Sequence, residues 1–390
     1  MSALRTHATL ALLLGLASIS TDLFLPALPT MAASLKAAPG QMELVVSTYL
    51  AGFGLGQLLW GPISDRYGRK LPILAGVIVF SLGSAGCALA GTAQAVILWR
   101  VVQALGASAA VALARAMIRD LYDRDRAARL LSGLMTVMAV APLIGPSLGA
   151  AILDHASWRT IFWVLVAIGI FALALSLGLP ETLPPSRRSA GSVAAAFHDY
   201  AKHLGNRPLM LRAGALGFYY LGVFALIAGS PFAYVSYYGL SPAAYGVIFG
   251  AGIVGLMAMN LLNARAVQTR GAEAMLGFGA IGAAVTGMAF AAVTHGDWFG
   301  LAGLVAVHMG FTAMNGLIAA NAVASALASA ARAGGSASAV VGAIQYGGGM
   351  LGAALVAGLT DSSPAPMGAV IALGGVGCLI CALLGQRLKA

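Results

Sequence analysis

The stretch GQLLWGPISDRYGRKLPIL, residues 56–74, places four charged residues in an otherwise apolar segment: Asp65, Arg66, Arg69 and Lys70. On each side of these charges the chain is apolar for about twenty residues, which is the length an α-helix needs to cross a bilayer. A short turn between two helices needs glycine where the backbone bends, and Gly61 and Gly68 can supply it. The stretch therefore predicts two membrane helices joined by a charged turn.

The composition of the whole chain supports a membrane protein. Of its 390 residues, 60% are hydrophobic and 9% are charged, and the mean hydropathy is +0.90. A water-soluble domain carries roughly 25% charged residues. So few charges cannot cover the surface of a soluble protein of this size, and we expect lipid to be the solvent.

Twelve apolar runs of spanning length follow one another along the chain. They lie near 8–29, 43–63, 71–91, 95–117, 131–153, 158–179, 209–230, 243–262, 274–294, 298–320, 337–358 and 366–385. The first run has the look of a signal peptide, but it stays apolar as far as Leu28, so we interpret it as a retained helix.

One long polar segment divides these runs, and its Pro, Ser and Arg content is typical of a linker. We predict an all-α membrane protein with twelve transmembrane helices in two six-helix halves. The N-terminal half is 1–180, the cytoplasmic linker is 181–208 and the C-terminal half is 209–390.

The distribution of basic residues predicts the orientation. If both termini lie on one side of the membrane, that side receives 18 of the 22 Lys and Arg residues. Because cytoplasmic loops are the ones enriched in Lys and Arg, both termini are predicted to be cytoplasmic. The same asymmetry accounts for the net charge of +10 without a nucleic acid partner.

The two halves repeat each other weakly. Arg66–Lys70 follows the second span and Arg265–Arg270 follows the eighth, and Pro26 and Pro231 stand late in the first and seventh spans. Secondary transporters use such parallel repeats, with the binding site between the halves. The alternative is that these similarities are common to helical membrane proteins.

Asp22 is the acidic residue placed deepest in a predicted span. An Asp at the centre of a membrane helix costs about 2.5–3.5 kcal/mol, so such residues are usually functional. Because desolvation disfavours the charged form of a carboxyl group, Asp22 is a candidate for taking up and releasing a proton. The alternative is an inert Asp22 near the outer headgroups. Pro26 and Pro29 predict a bend beside a cavity just after it.

Four motifs together resemble the major facilitator superfamily. GPISDRYGRK (61–70) resembles its signature loop between helices 2 and 3, RVVQALG (100–106) its helix-4 motif, and PLIGPSLG (142–149) the helix-5 motif associated with antiporters. TDLFLPALP (21–29) resembles the bicyclomycin and chloramphenicol resistance branch, Bcr/CflA. These motifs lie in the N-terminal half. The C-terminal half matches in its layout and carries a degenerate loop copy, NARAVQTRGAE (263–273), which lacks the Asp.

The resemblance implies roles for these motif residues. In the family, the Asp of the loop holds the two halves together at the cytoplasmic side when the cavity opens outward. The corresponding cytoplasmic gate here comprises Gly61, Asp65, Arg66, Gly68, Arg69, Lys70 and Asp120. Asp65 is placed to pair with Arg69, and Asp120 to extend that network. The alternative is a cluster of positive charges that only sets topology, which leaves Asp65 unexplained.

The resemblance also places Arg100 in the cavity, where it tunes the protonation of Asp22. The alternative for Arg100, which follows Trp99, is an anchor at the membrane interface. Gly145, Pro146 and Gly149 form a small-residue face that lets helices approach closely. In antiporters of the family this face seals the cavity.

Aromatic and amide side chains in the spans are candidates for the substrate cavity. They are Tyr49, Phe53, Gln103, Tyr219, Tyr220, Asn315 and Tyr346. Each alone is explained as well by ordinary packing. His308 is a possible second titrating group or a hydrogen-bonded helix contact. Cys378 and Cys381 form a C-x-x-C inside a predicted span, with no polar context that would favour a metal or redox site.

The resemblance implies a proton-coupled antiporter in the bacterial inner membrane, monomeric, that exports drugs such as chloramphenicol or bicyclomycin. The alternative is export of a metabolite such as a nucleoside or amino acid. The proton is the expected coupling ion, with no metal or other cofactor. A primary pump is disfavoured because no G-x-x-x-x-G-K-[ST] phosphate loop is present. A membrane enzyme is disfavoured because the six histidines are scattered. A passive channel would not need Asp22 as a proton carrier.

Overall fold

Long helices account for most of the chain in the computed structural model, which describes residues 3–122, 130, 134, 140–188, 193–330, 335–361 and 363–388. The helices of the first half are α1 (Ala3–Asp22), α2 (Leu28–Ser34), α3 (Glu43–Tyr67), α4 (Lys70–Leu89), α5 (Ala93–Leu121), α6 (Val140–His155) and α7 (Trp158–Leu177). Next come α8 (Val193–Leu204), α9 (Arg207–Pro231), α10 (Pro242–Arg270), α11 (Ala272–Gly296), α12 (Gly300–Ala313), α13 (Asn315–Ala328), α14 (Gly335–Leu359) and α15 (Ala365–Arg387).

Eleven helical segments in the described ranges are long and apolar enough to cross a membrane. The predicted fifth span corresponds to α6, which has 16 residues from Val140 onward. Twelve spans therefore remain a prediction. The start of the fifth span before Val140, apart from Leu134, lies outside the described residues, as do the basic residues Arg124, Arg126, Arg129, Arg332 and Lys389.

Polar caps begin several of the helices. Thr92, Asn206 and Ser241 each accept a hydrogen bond from the backbone N–H three residues later, at 3.2, 3.1 and 3.2 Å. Such a cap satisfies one of the N–H groups that the first helical turn leaves without a partner. These caps set the starts of α5, α9 and α10.

Within the described residues, three spans are interrupted. The first span bends as predicted, because α1 ends at Asp22 and a 3₁₀ turn, Leu25–Ala27, precedes α2. Pro26 lies inside this turn, where its missing N–H prevents a regular helix. The seventh span ends its regular α-helix at Pro231 and continues as a π-helical segment, Phe232–Tyr237. The tenth span divides at Met314, which the sequence did not predict.

The predicted linker is partly helical. A 3₁₀ turn, Pro185–Arg187, and the helix α8 both lie within 181–208, and α9 begins inside that range at Arg207. The Tyr200 hydroxyl of α8 donates a hydrogen bond to the Leu58 carbonyl of α3 at 3.4 Å. His203 lies 3.0 Å from the Ser336 hydroxyl of α14. The linker helix therefore touches both halves, while the domain boundaries themselves remain a prediction.

Two similar turns mark one end of the bundle. Gly68 follows α3 with φ +91°, and Gly271 follows α10, 203 residues later, with φ +78°. A positive φ is favourable for glycine, so Gly68 acts as predicted. The expectation for Gly61 is wrong, because α3 continues through Gly61 and Pro62 to Tyr67. We name the end carrying these two glycines the turn end, and the other the far end.

Both chain ends lie at the turn end. His7 in α1 lies 2.7 Å from the Tyr122 hydroxyl, which directly follows α5. Gln386 in α15 donates a hydrogen bond to the Glu273 carbonyl at 3.1 Å, two residues after Gly271. The two ends therefore share one side, as predicted, and the assignment of that side to the cytoplasm remains a prediction.

The two halves meet along two helix pairs, α3 with α14 and α6 with α10. At the far end, the Ser47 hydroxyl of α3 donates to the Met350 carbonyl of α14 at 2.9 Å. The Thr360 hydroxyl, just past α14, donates to the Glu43 carboxylate at 3.2 Å. These two hydrogen bonds close the far end between the halves.

Candidate functional site

A cavity of about 640 Å³ lies between the halves at the turn end. Its first wall comes from α3 and α5 and includes Gln57, Asp65 and Arg115. The facing wall comes from α14 and includes Gln345 and Tyr346. Because binding pockets for small molecules measure about 300–1,000 Å³, the cavity is large enough for an organic molecule.

A cluster of charges lies at the mouth of this cavity. Arg69 donates from Nη1 to Asp65 at 2.6 Å and from Nε to Asp120 at 2.9 Å. The same Nη1 donates to the Ser64 hydroxyl at 2.7 Å, and Thr182 donates to Asp120 at 3.1 Å. The structure thus brings together Asp65, Arg69 and Asp120 as the sequence predicts. The hydrogen bonds found for these three side chains stay within the first half and residue 182.

Glu181 is a member of this cluster that the sequence analysis missed. Its carboxylate accepts hydrogen bonds from the backbone N–H of Arg69 at 2.8 Å and of Lys70 at 3.2 Å, where α4 begins. Partial burial opposes ionisation, but these bonds, that of Leu183 and the charge of Arg188 outweigh it and hold the pKa of Glu181 below its usual range. The available signal was an acid directly after the sixth span, at the same end as Asp65.

The remaining predicted gate residues have different surroundings. Arg66 is exposed, with its guanidinium 5.6 Å from the centre of the Tyr67 ring. Gly61 lines the cavity from within α3. At Gly68 the positive φ disfavours any other residue, and an added Cβ would lie 2.8 Å from Arg188 Nη2, the end of a flexible side chain that would have to shift.

Asp22 ends α1 at the seam between the halves and is 6% exposed. On the first half it packs against Gly145 of α6, where an added Cβ would lie 3.1 Å from the Cβ of Asp22. On the second half its charge acts on the Tyr245 hydroxyl of α10. In the described part of the chain its carboxylate has no ion pair. The buried position disagrees with the alternative of an Asp22 exposed at the headgroups.

Arg100 is fully buried in the first half. Its Nη1 donates to the Ser20 carbonyl at 3.0 Å and to the Gln103 amide oxygen at 2.6 Å. Its guanidinium lies 4.2 Å from the centre of the Phe24 ring and 4.1 Å from that of Tyr49. Full burial rules out the interfacial anchor. The described contacts also do not pair Arg100 with Asp22 in this conformation, although they bring it to the same turn of α1.

The predicted cavity residues separate into two groups. Tyr346 lines the cavity, its ring lies 4.8 Å from that of Phe53, and Phe53 stacks on Tyr49 at 6.2 Å. This aromatic row leads from Arg100 to the cavity. The Tyr220 hydroxyl interacts with the side chains of Asn315 and Gln345.

Two of the predicted residues point elsewhere. Gln103 is fully buried, and its amide donates to the Ser84 hydroxyl at 2.7 Å, within the first half. The Tyr219 hydroxyl donates to the Phe311 carbonyl at 2.8 Å, within the second half. Neither side chain reaches the cavity here, because its polar group is used in the packing of its own half. Sequence position alone could not distinguish these residues from Tyr346.

His308 is a hydrogen-bonded helix contact. Its Nδ1 lies 3.0 Å from the Tyr234 hydroxyl, and both side chains are buried. The Tyr234 ring lies 6.0 Å from that of Tyr245, the residue of α10 that lies near Asp22. Hydroxyl and imidazole groups therefore extend from the seam into the second half.

The small-residue face of α6 makes close contacts on two sides. Towards α1, an added Cβ at Gly149 would overlap the Leu23 carbonyl and lie 3.1 Å from Pro26 Cγ. Towards α10, an added Cβ at Gly250 would lie 2.8 Å from the Leu143 carbonyl oxygen of α6. Pro146 is buried between these contacts. The predicted close approach of helices is confirmed, and it occurs beside Asp22.

Sequence comparisons agree with the fold. The model of the family described as "Major Facilitator Superfamily" matches residues 10–353. The "Uncharacterized MFS-type transporter YdgK" of Bacillus subtilis is 37% identical over 248 residues, which cover 62% of each chain. The "Bicyclomycin resistance protein homolog" of Haemophilus influenzae is 30% identical over 69% of this chain and 68% of that protein. The "Multidrug resistance protein MdtL" of Escherichia coli is 37% identical over 42% of each chain.

Solved structures share the architecture. A D-xylose–proton symporter superposes with a TM-score of 0.79 at 16% identity, covering 100% of this chain and 98% of that one. A mutant of the nucleoside transporter NupG superposes with a TM-score of 0.76 at 13% identity, covering 98% and 100%. At these identities the likeness shows the fold alone. The chain belongs to the Major Facilitator Superfamily, as a membrane transporter of its Bcr/CflA-like branch and not an enzyme.

Proposed function

We propose that this transporter is a proton-coupled antiporter that exports small organic molecules, drugs among them, across the bacterial inner membrane. Asp22 is the proposed proton site, and the cavity between the halves is the proposed substrate site. The protein works as a monomer by alternating access. The observation that carries this proposal is the position of Asp22, a buried carboxyl group at the seam where the halves must separate, with no ion pair to any residue that the structure describes.

The chemistry of that position explains the coupling. With the far end closed, Asp22 is shielded from water by α6 and α10, which favours a neutral carboxyl group. Opening the far end separates α6 from α10 and exposes Asp22 to water, where it can exchange its proton. The fixed charge of Arg100, bonded to the Ser20 carbonyl in the same turn of α1, favours the ionised form whenever the Asp22 carboxyl group moves closer to it. The two conformations thus bind a proton with different affinity.

The free energy released by one entering proton is enough to drive the export of a drug against a concentration gradient. A proton that crosses 100 mV supplies about 2.3 kcal/mol. Because a tenfold concentration ratio costs about 1.4 kcal/mol, one proton sustains a substrate gradient of about fifty-fold.

The charge cluster at the turn end is the proposed gate. Its members Asp65, Arg69 and Asp120 bond one another while the cavity is open at that end. Asp65 is half-exposed and faces the cavity, so it is free to contact the second half when the turn end closes. In this role the cluster stabilises the conformation that opens at the far end.

The test uses inverted membrane vesicles that hold an acid-inside gradient, reported by a quenched dye. We would add chloramphenicol, bicyclomycin, lipophilic cations, nucleosides and amino acids in turn, with Asp22→Asn and Asp154→Asn as matched variants. Asp154 is an exposed acid at the end of α6, so it controls for the chemical change. We expect one class to cause dequenching in the wild type and in Asp154→Asn, but not in Asp22→Asn. Dequenching by Asp22→Asn at the wild-type rate would refute the proposal.

A further inference from the structure

We propose that Arg115 binds an anionic group of the substrate, so that the transported molecule is an organic acid, a carboxylate or phosphate ester on an aromatic or apolar body. This inference rests on the proposed export function and specifies its substrate class. It starts from a side chain on the cavity wall whose charge the described structure leaves unneutralised.

The surroundings of Arg115 differ from those of the paired arginines Arg69 and Arg212. Arg69 pairs with two carboxylates, and Arg212 pairs with Glu273. Arg115 lines the cavity, yet its Nε is buried and has no hydrogen-bond partner, and within the described ranges no carboxylate lies within ion-pair distance of it. A buried N–H donor without a partner is costly, and a ligand that supplies an acceptor to this guanidinium offsets that cost.

A second unsatisfied donor lies on the same wall. The amide nitrogen of Gln57, on the neighbouring helix α3, is buried and also lacks a hydrogen-bond partner. Guanidinium and amide N–H groups both donate, and neither is an acceptor at these atoms. A ligand with oxygen acceptors therefore satisfies both, whereas a cationic ligand satisfies neither.

The other charged residues of the cavity wall also favour an anionic ligand. The two carboxylates that line the cavity are already paired: Asp65 with Arg69 at 2.6 Å and Asp199 with Lys202 at 2.8 Å. Arg119, exposed at the mouth, adds a second cation that no described carboxylate pairs with. The cavity therefore presents a net positive charge, which attracts anions.

The depth of the cavity fits an aromatic body. Arg115 and Tyr346 line the same cavity. The Tyr346 ring meets Phe53 edge to face at 4.8 Å. An aryl group held against these rings would place its acidic substituent beside Arg115. The alternative, a basic residue that only sets topology, does not explain why its Nε is buried.

The test is binding to the purified full-length protein in detergent, without a proton gradient. The probes are 1-naphthoate, 1-naphthyl phosphate, the neutral 1-naphthamide and the cationic 1-naphthylmethylammonium, measured by equilibrium dialysis. We expect at least one of the two anions to bind ten-fold or more tightly than the amide, and the cation to bind most weakly. Arg115→Gln should abolish that preference, whereas Arg115→Lys and Arg119→Gln should keep most of it.

The outcomes are decisive in either direction. Equal affinity of the wild type for the amide and both anions, no binding of any anion, or an unchanged preference in Arg115→Gln would overturn the proposal. Retained preference in Arg115→Lys shows that the site is intact when its charge is present. Because no proton gradient is used, binding of the anions together with a failure of the same anions to cause dequenching in the vesicle assay would sink the antiport proposal and leave this one standing.

Discussion

Replacing Gly149 with alanine should destabilise the protein, although alanine is the better helix former. At this position the added Cβ would overlap the Leu23 carbonyl oxygen and press on Pro26 Cγ at 3.1 Å. Backbone atoms cannot rotate away, so α6 and α1 must separate. Overpacking of this kind costs about 1–3 kcal/mol. The gain from replacing glycine inside a helix is about 0.5–1 kcal/mol. We therefore expect a net loss within the range of about 0–2.5 kcal/mol, centred on about 1 kcal/mol.

Gly347→Ala is the matched control. Gly347 lies inside α14, and an added Cβ there would have no atom within 4 Å. This variant should gain about 0.5–1 kcal/mol. Thermal unfolding in one detergent should therefore place the midpoint of Gly149→Ala below the wild type and that of Gly347→Ala at or above it. Equal midpoints, or a higher midpoint for Gly149→Ala, would show that α6 and α1 do not pack this closely.

Three further predictions concern the charge cluster and the cavity. Asp65→Asn should change stability by about 0–1 kcal/mol, because the pair is half-exposed, but it should lower the maximal transport rate and leave substrate affinity unchanged; an unchanged maximal rate contradicts the gate. Glu181→Gln should lower the free energy of unfolding at pH 7 by about 1 kcal/mol after solvent screening. Because the pKa of Glu181 is held below its usual 4.5, its contribution is fully present above pH 4.5 and is lost as the pH falls through the lower folded value. The difference between wild type and Glu181→Gln should therefore persist from pH 7 to 5 and shrink below 4.5; a constant difference argues against this role. Tyr346→Ala should weaken binding of an aromatic substrate three- to ten-fold, since a ring contact contributes about 0.5–1.5 kcal/mol, whereas Tyr346→Phe should bind like the wild type; equal loss in both variants would point to the hydroxyl instead.

Features that depend on local chemistry were predictable from the sequence. Pro26 predicts the bend after Asp22, because a proline cannot complete the helix. Gly68 predicts a turn that needs positive φ. The turn at Gly61 was wrong, since Pro62 is accommodated inside α3 and the helix ends only at Gly68. The helix α8 was missed because it is short, with 12 residues, and follows a Pro-, Ser- and Arg-rich stretch that is typical of a linker.

Features that depend on which helices become neighbours were not predictable. Arg100 and Gln103 share a helix face, as their spacing requires, but that face turns into the first half and not into the cavity. Glu181 is far from Arg69 in sequence, and only the fold brings it to the start of α4. Arg115 resembles an ordinary basic residue at a membrane edge until the packing around its Nε is known.

The contacts that join the halves at the far end have a consequence for how readily the transporter changes conformation. Besides close packing there, the Ser47–Met350 bond is neutral and the Thr360–Glu43 bond involves one carboxylate. Such bonds contribute about 1 and 2 kcal/mol, respectively. A free-energy difference of a few kcal/mol leaves the less stable of two states populated at about 0.1–10%. The hydrogen bonds at the far end are thus weak enough for water to replace them when the halves separate. A salt bridge between two full charges at the same place would stabilise the closed far end and hinder the change of conformation that transport needs.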